Sequence, residues 1–176
     1  MRFYEIINEN NNSSHLNIMS VADYYVTDGA REIAHKAKKG DLNSIRYMAK
    51  EMARIAPRGA VFIPVPSRYG KATDTMTLAT IIASMTGGTV ANILSGSSRE
   101  SLYNIKKRGD NIDDEFFNFR THENIPNGRL VIVDNIYDTG ATVSAIAEIT
   151  GAVDVLVYSD VKTPLWKVQT SRNIIA

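Results

Sequence analysis

The chain has no cysteine, which excludes disulfides, thiolate zinc sites and a thiol nucleophile, and fits a reducing compartment. Neither sign of charge is in excess. Twenty Lys and Arg against nineteen Asp and Glu leave a formal +1, so no global field draws the chain to nucleic acid or membrane, and any basic site must be local. No run approaches the roughly 20 apolar residues that span a bilayer. The N-terminal MRFYEIINENNNSSH lacks the apolar core of a signal peptide, so the expectation is a cytoplasmic protein without a membrane partner. His15, His35 and His122 are scattered without ligand spacing, which argues against a histidine metal site, and no internal repeat occurs.

What is present is an ordinary globular composition, 44% hydrophobic and 22% charged over 176 residues, enough for one domain with a sizeable core. The pattern predicts a short first strand, Phe3 to Ile7, and a turn-rich loop, Asn8 to Ser14. Asp41 is an N-cap candidate for a helix carrying Leu42, Ile45, Met48, Met52 and Ile55, closed by Pro57-Arg58-Gly59. Ala60 to Val65 reads as a buried strand, followed by the polar loop Ser67 to Lys71. Asp74 is placed to cap the next helix, which runs to about Met85 and stops at Gly87-Gly88. A strand is expected over Thr89 to Leu94, then a mobile glycine, serine and basic segment, Ser95 to Asn111. Phe116 to Phe119 reads as a strand or edge segment and Pro126-Asn127-Gly128 as a turn. Further strands are expected at Leu130 to Val133 and Val153 to Tyr158, around a helix over Ala141 to Thr150. Short continuous apolar strands alternating with helices predict an α/β, doubly wound, mainly parallel sheet, whose ligands bind beyond the carboxyl ends of the strands.

Three loops converge there: Pro66 to Lys71, Ser95 to Asn111 and Asp134 to Thr142. In the last, an apolar strand runs into Asp134-Asn135 and then into Asp138-Thr139-Gly140-Ala141-Thr142 at a helix start. Free N–H groups at that helix end favour a phosphate, the hydroxyls of Thr139 and Thr142 add donors, and Gly140 lets the backbone approach an anion. The lysine and spacing of a Walker loop are missing. Asp138 or Thr139 could instead serve simply as the helix cap. Asp134 and Asn135 suit vicinal hydroxyls, and a carboxylate can bind a hard cation such as Mg²⁺, so a ribose 5-phosphate fits both halves.

VIVDNIYDTGAT resembles the PRPP-binding motif of type I phosphoribosyltransferases, closely over Leu130 to Thr142. REIAHKAKKGDLNSIRYMAKEMA, VFIPVPSRYGK and, loosely, Arg99 to Asn111 are similar to segments of the ComF-like branch, which carries no large hood. The resemblance covers roughly Tyr24 to Lys162 and implies a single phosphoribosyltransferase-like domain: an extension over 1–23, a core over 24–162 and a tail over 163–176.

The resemblance implies that Asp134 binds a ribose hydroxyl and Mg²⁺, with Asn135 beside it, and that Asp138, Thr139, Gly140, Ala141 and Thr142 take the 5-phosphate of PRPP or a related phosphoribosyl nucleotide. Ser67, Arg68 and Lys71 would face the pyrophosphate, with Arg99 and Arg108 closing over it as a lid. Asp134 and Asp138 are the candidate catalytic residues, Asp138 as general base for a nitrogenous acceptor. Asn135 departs from the motif, which usually has a second acid there, and an amide holds Mg²⁺ more weakly. That departure motivates an alternative, a non-catalytic PRPP or nucleotide sensor. A ComF-like DNA-uptake accessory role is the third reading, without support from net charge. A homodimer is compatible with the sequence.

Overall fold

A computed structural model describes residues 3–5, 16–100, 102–109 and 116–161. The turn-rich run Asn8 to Ser14 and the tail 163–176 lie outside them. The described residues form a six-stranded sheet in the order β1-β2-β8-β7-β3-β4. These strands are β1 (Phe3–Glu5), β2 (Asn17–Asp23), β3 (Val61–Pro64), β4 (Thr89–Val90), β7 (Leu130–Tyr137) and β8 (Asp154–Asp160). β1 pairs antiparallel with β2, and the other five strands are parallel.

Parallel strands need crossovers, and the helices that provide them cover both faces. α1 (Ala30–Lys38), α2 (Leu42–Ala53) and α3 (Asp74–Thr86) pack one face, where Met48, Met52, Leu78 and Ile82 meet Phe62, Val131, Val133 and Leu156. α5 (Ala141–Thr150) covers the other, where Val143, Ile146 and Ala147 meet Ile63, Ile132, Val155 and Val157. The alternation of Val131, Ile132 and Val133 between these two cores explains why this strand reads as one continuous apolar run. Residues 17–23, read as the end of an extension, form β2, which pairs with β8. No described helix is long and apolar enough to cross a membrane.

Several elements differ from expectation. Asp41 caps α2 as anticipated, its carboxylate accepting from Ser44 N at 2.8 Å, and Gly87 ends α3 with φ 68°. Asp74, however, is the first residue of α3 and not its cap, which is Thr73. The run Thr89 to Leu94 is not one strand: β4 ends at Val90, and β5 (Leu94–Ser95) pairs antiparallel with β6 (Arg120–Thr121) in a separate two-stranded sheet. Phe116 to Phe119 precede β6 without joining it, because Asn118 takes φ 42° and Phe117 and Phe119 stack at 5.3 Å. The segment Ser95 to Asn111 contains a helix, α4 (Leu102–Arg108).

The difference that matters most lies in β7. It was expected to end at Val133 but continues through Asn135 to Tyr137. β8 accompanies it to Tyr137↔Asp160, whereas β3 stops at Pro64↔Val133. Val65 N still donates to Val133 O at 3.1 Å, but Pro64 and Pro66 have no N–H to extend the ladder. Asp134 to Tyr137 therefore project past the end of β3 and pair only with β8.

Candidate functional site

Asp134 is the first residue of the projection, and its carboxyl group is deeply desolvated. Burial pushes its pKa up to about 6; nearby Lys38 and the N–H of Asn135 favour the ionised form, Asp74 disfavours it, and Arg99 favours it more weakly. The Asn135 N–H donates to Asp134 Oδ1 at 2.8 Å. Asn135 itself is only 2% exposed, and its side-chain amide donates to Asp74 Oδ2. Asp74 is held from its other side by the Thr73 hydroxyl, at 3.0 Å. Thr75, buried one residue further on, donates to Val65 O at 2.7 Å and ties the start of α3 to the end of β3.

Beyond Tyr137 the chain turns at Gly140, which caps α5 with φ 81° and has no side chain to offer the first turn. Asp138 and Thr139 are exposed on the turn and are not the cap residue, while Ala141 and Thr142 are half-buried in the first turn of the helix. A Cβ at Gly140 would lie 2.5 Å from Tyr137 Oη, so the buried tyrosine ring fixes how closely the turn folds over the strand. Tyr137 packs with the α5 core, and burial raises its pKa, with Asp160 adding to the effect.

The facing wall is made of two loops joined to each other. Ser67 N donates to Lys71 O and Gly70 N to Ser67 O, both at 2.9 Å, closing the loop after β3 into a compact turn. Gly96 N donates to Gly70 O and Arg99 N to Arg68 O, again at 2.9 Å. Gly70 has φ 82°, and any Cβ there would collide with Gly96 O.

Arg99 reaches across this joint. Its guanidinium lies 5.3 Å from the Phe117 ring centroid and 5.1 Å from that of Phe119, and donates to Ser67 O at 3.2 Å. Burial lowers its pKa while Asp134 opposes the shift, which places this cation within electrostatic reach of the acid. No protein-family model and no curated protein matches the chain.

The fold thus brings Asp134, Asn135, the Asp138 to Thr142 turn and Arg99 to one edge of the sheet. Arg68 and Lys71 are exposed on the adjoining loop, with the Arg68 guanidinium donating to Tyr69 Oη at 2.6 Å and Ser67 half-buried beside them. Arg108 sits on α4 and is occupied by Glu100 through two hydrogen bonds of 2.6 and 2.8 Å. Two neighbours of Asp134 escaped sequence reading: Asp74, taken for a helix cap, and Lys38, assigned no site role. Both lie far from residue 134 in the chain, and only the adjacency of β3 and β7 and the packing of α1 bring them near.

Among the described residues no group of three His, Cys, Asp or Glu side chains could hold a metal by itself. Asp134 and Asp74 offer two carboxylates. That set suits Mg²⁺ arriving on a phosphorylated substrate, because this ion is commonly held by one or two carboxylates plus substrate oxygens.

Proposed function

We propose that the chain is a PRPP-binding protein of the phosphoribosyltransferase kind that transfers the 5-phosphoribosyl group to a nitrogenous acceptor. The observation that carries this reading is Asp134 projecting past the end of β3, on the same strand that leads into the Gly140 turn opening α5, at the sheet's carboxyl end within electrostatic reach of Arg99. The 5-phosphate would lie on the N–H groups of residues 139–142, which are a favourable anion site at a helix start. Asp134 would accept hydrogen bonds from the ribose hydroxyls. Lys71, Arg68 and Arg99 would offset the charge of the diphosphate as it leaves, the point at which fixed cations contribute most to rate.

In this reaction the bond from the anomeric carbon to the diphosphate oxygen breaks as a bond to the acceptor nitrogen forms. The acceptor's proton would pass to Asp138 and the diphosphate would depart past Lys71, Arg68 and Arg99; Mg²⁺, held by Asp134 and the diphosphate oxygens, would supply Lewis-acid stabilisation of the leaving charge. The residues present fit this role, since two carboxylates and an incoming diphosphate together complete an oxygen ligand set.

Titration calorimetry with PRPP tests the reading. Binding in millimolar Mg²⁺ that is lost in EDTA, and abolished by Asp134→Ala, is expected; no heat at millimolar PRPP overturns it. The sensor reading is favoured by the engagement of Asn135 with Asp74, which leaves its amide group committed to the protein. Binding without pyrophosphate release, across purine, pyrimidine and amine acceptors, would select it.

A further inference from the structure

A cavity that shares no residue with the candidate site lies between residues 117–120 and α5. It has a volume of about 560 Å³, within the range of small-molecule sites, roughly 300–1,000 Å³. On the helix side it is lined by Ala145, Glu148 and Ile149, which stand at i, i+3 and i+4 and so share one flank of α5. The other wall is aromatic. Phe117 and Phe119 are buried, with ring centroids 5.3 Å apart and planes within 11° of parallel. Asn118 between them takes φ 42° and, among the described residues, is the only non-glycine with a positive φ. Such a backbone costs energy and is characteristically kept at ligand clamps.

Two opposite charges line this cavity without meeting. Arg120 donates from Nε to Asn118 Oδ1 at 3.2 Å, and Glu148 is exposed on α5. Among the described residues the Nη groups of Arg120 have no partner, and neither Arg120 nor Glu148 has an ion-pair partner within 4 Å. A ligand carrying a carboxylate, an ammonium group and a flat apolar side chain complements all three features. The guanidinium fork matches the carboxylate, Glu148 accepts from the ammonium group, and a ring packs on the phenylalanine pair.

The cavity is also tied to the two joined loops of the candidate site. Its aromatic wall carries the Arg99 guanidinium, which donates to Ser67 O at 3.2 Å and to Pro66 O at 3.4 Å. Asn118 Nδ2 donates to Ser97 Oγ at 2.7 Å, and the preceding residue, Gly96, is the one whose N–H holds Gly70 O. We propose that this cavity binds a free aromatic α-amino acid, its carboxylate on Arg120, its ammonium group on Glu148 and its ring on Phe117 and Phe119, and that the bound ligand stiffens the joint between the Gly70 and Gly96 loops. Neither half depends on what the Asp134 site binds.

Three probes separate the contacts: L-phenylalanine, hydrocinnamate, which lacks the ammonium group, and phenethylamine, which lacks the carboxylate. Each is titrated into the full chain and followed by backbone amide resonances. L-phenylalanine at millimolar concentration is expected to shift residues 117–120 and 145–149, and each of the other two to bind about 10-fold or more weakly, since each forfeits a charge-assisted hydrogen bond. Arg120→Met is expected to erase the advantage of phenylalanine over phenethylamine while keeping that over hydrocinnamate, and Glu148→Gln to do the reverse. Both side chains are exposed, so neither change disturbs the core. Hydrogen exchange at the amides of Gly70, Gly96 and Arg99 is expected to slow by up to about 10-fold with L-phenylalanine at about 10 times its dissociation constant, because opening of the joint releases the ligand. No shift at those residues with any probe at millimolar concentration overturns the site. Equal binding of the three probes, or preferences that survive both substitutions, overturns the assignment of the two charges. Binding in the cavity with exchange at Gly70, Gly96 and Arg99 unchanged overturns the link to the loops.

Discussion

Asp134 shows how a single buried carboxyl makes stability depend on pH. Its folded pKa of about 6 lies above the roughly 3.9 of an unfolded aspartate, so the native state binds the proton more tightly. The stability this confers is present below the unfolded value and is lost as pH rises through 6. Asp134→Asn should accordingly stabilise the protein at pH 7.5 by up to about 3 kcal/mol, with the gain vanishing towards pH 4, as read from urea denaturation at both values. PRPP binding should move oppositely, failing in the variant and weakening in the wild type below pH 6, where the acid is neutral. Gly140 is a second residue whose cost can be anticipated. Gly140→Ala puts a methyl group against Tyr137 at a φ of 81° and should destabilise by about 1–3 kcal/mol. Adding Tyr137→Phe, which deletes the nearest oxygen, should return part of that loss in the same denaturation assay. Ser159 is the converse case: its hydroxyl is fully buried with no hydrogen-bond partner among the described residues, so Ser159→Ala should leave the melting temperature unchanged or raise it slightly.

At the scale of elements, the site depends on where neighbouring strands stop. β7 and β8 run on together while β3 yields to Pro64 and Pro66, and that mismatch leaves Asp134 paired with β8 but not with β3. The joint between Gly70 and Gly96 holds the facing wall, so Gly70→Ala should part the two loops. PRPP affinity should fall in that variant while far-ultraviolet circular dichroism stays native, since the change spares every strand of the sheet. Some of these elements were legible in the residues. Asp41 and Gly87 punctuate helices through local capping chemistry, and α5 was read to its residue because a glycine turn and an apolar run mark it. β2, with the mixed run NIMSVAD, was not recognised as a strand, because its burial comes from β8 and the α1–α3 layer and not from a periodicity of its own.

For the molecule as a whole, the carboxyl ends of the parallel strands carry the candidate site, while near the amino ends of β7 and β8 Arg129 meets Asp154 at 2.6 Å. A ligand bound only by the folded chain must raise the melting temperature with its concentration. PRPP with Mg²⁺ at about 100 times its dissociation constant should add about 2.7 kcal/mol, and the shift should disappear in EDTA. The sequence by itself determined the α/β alternation, the small-residue turn before α5 and the acid at the end of its strand, because each depends on residues within a few positions of one another. Which strands lie side by side was decided only by tertiary packing, and with it the length of β7, the partner of Asn135 and the approach of Lys38 and Arg99 to Asp134. Those pairings join residues up to 137 positions apart, as between Asn17 and Asp154, and no local spacing encodes a pairing across that distance.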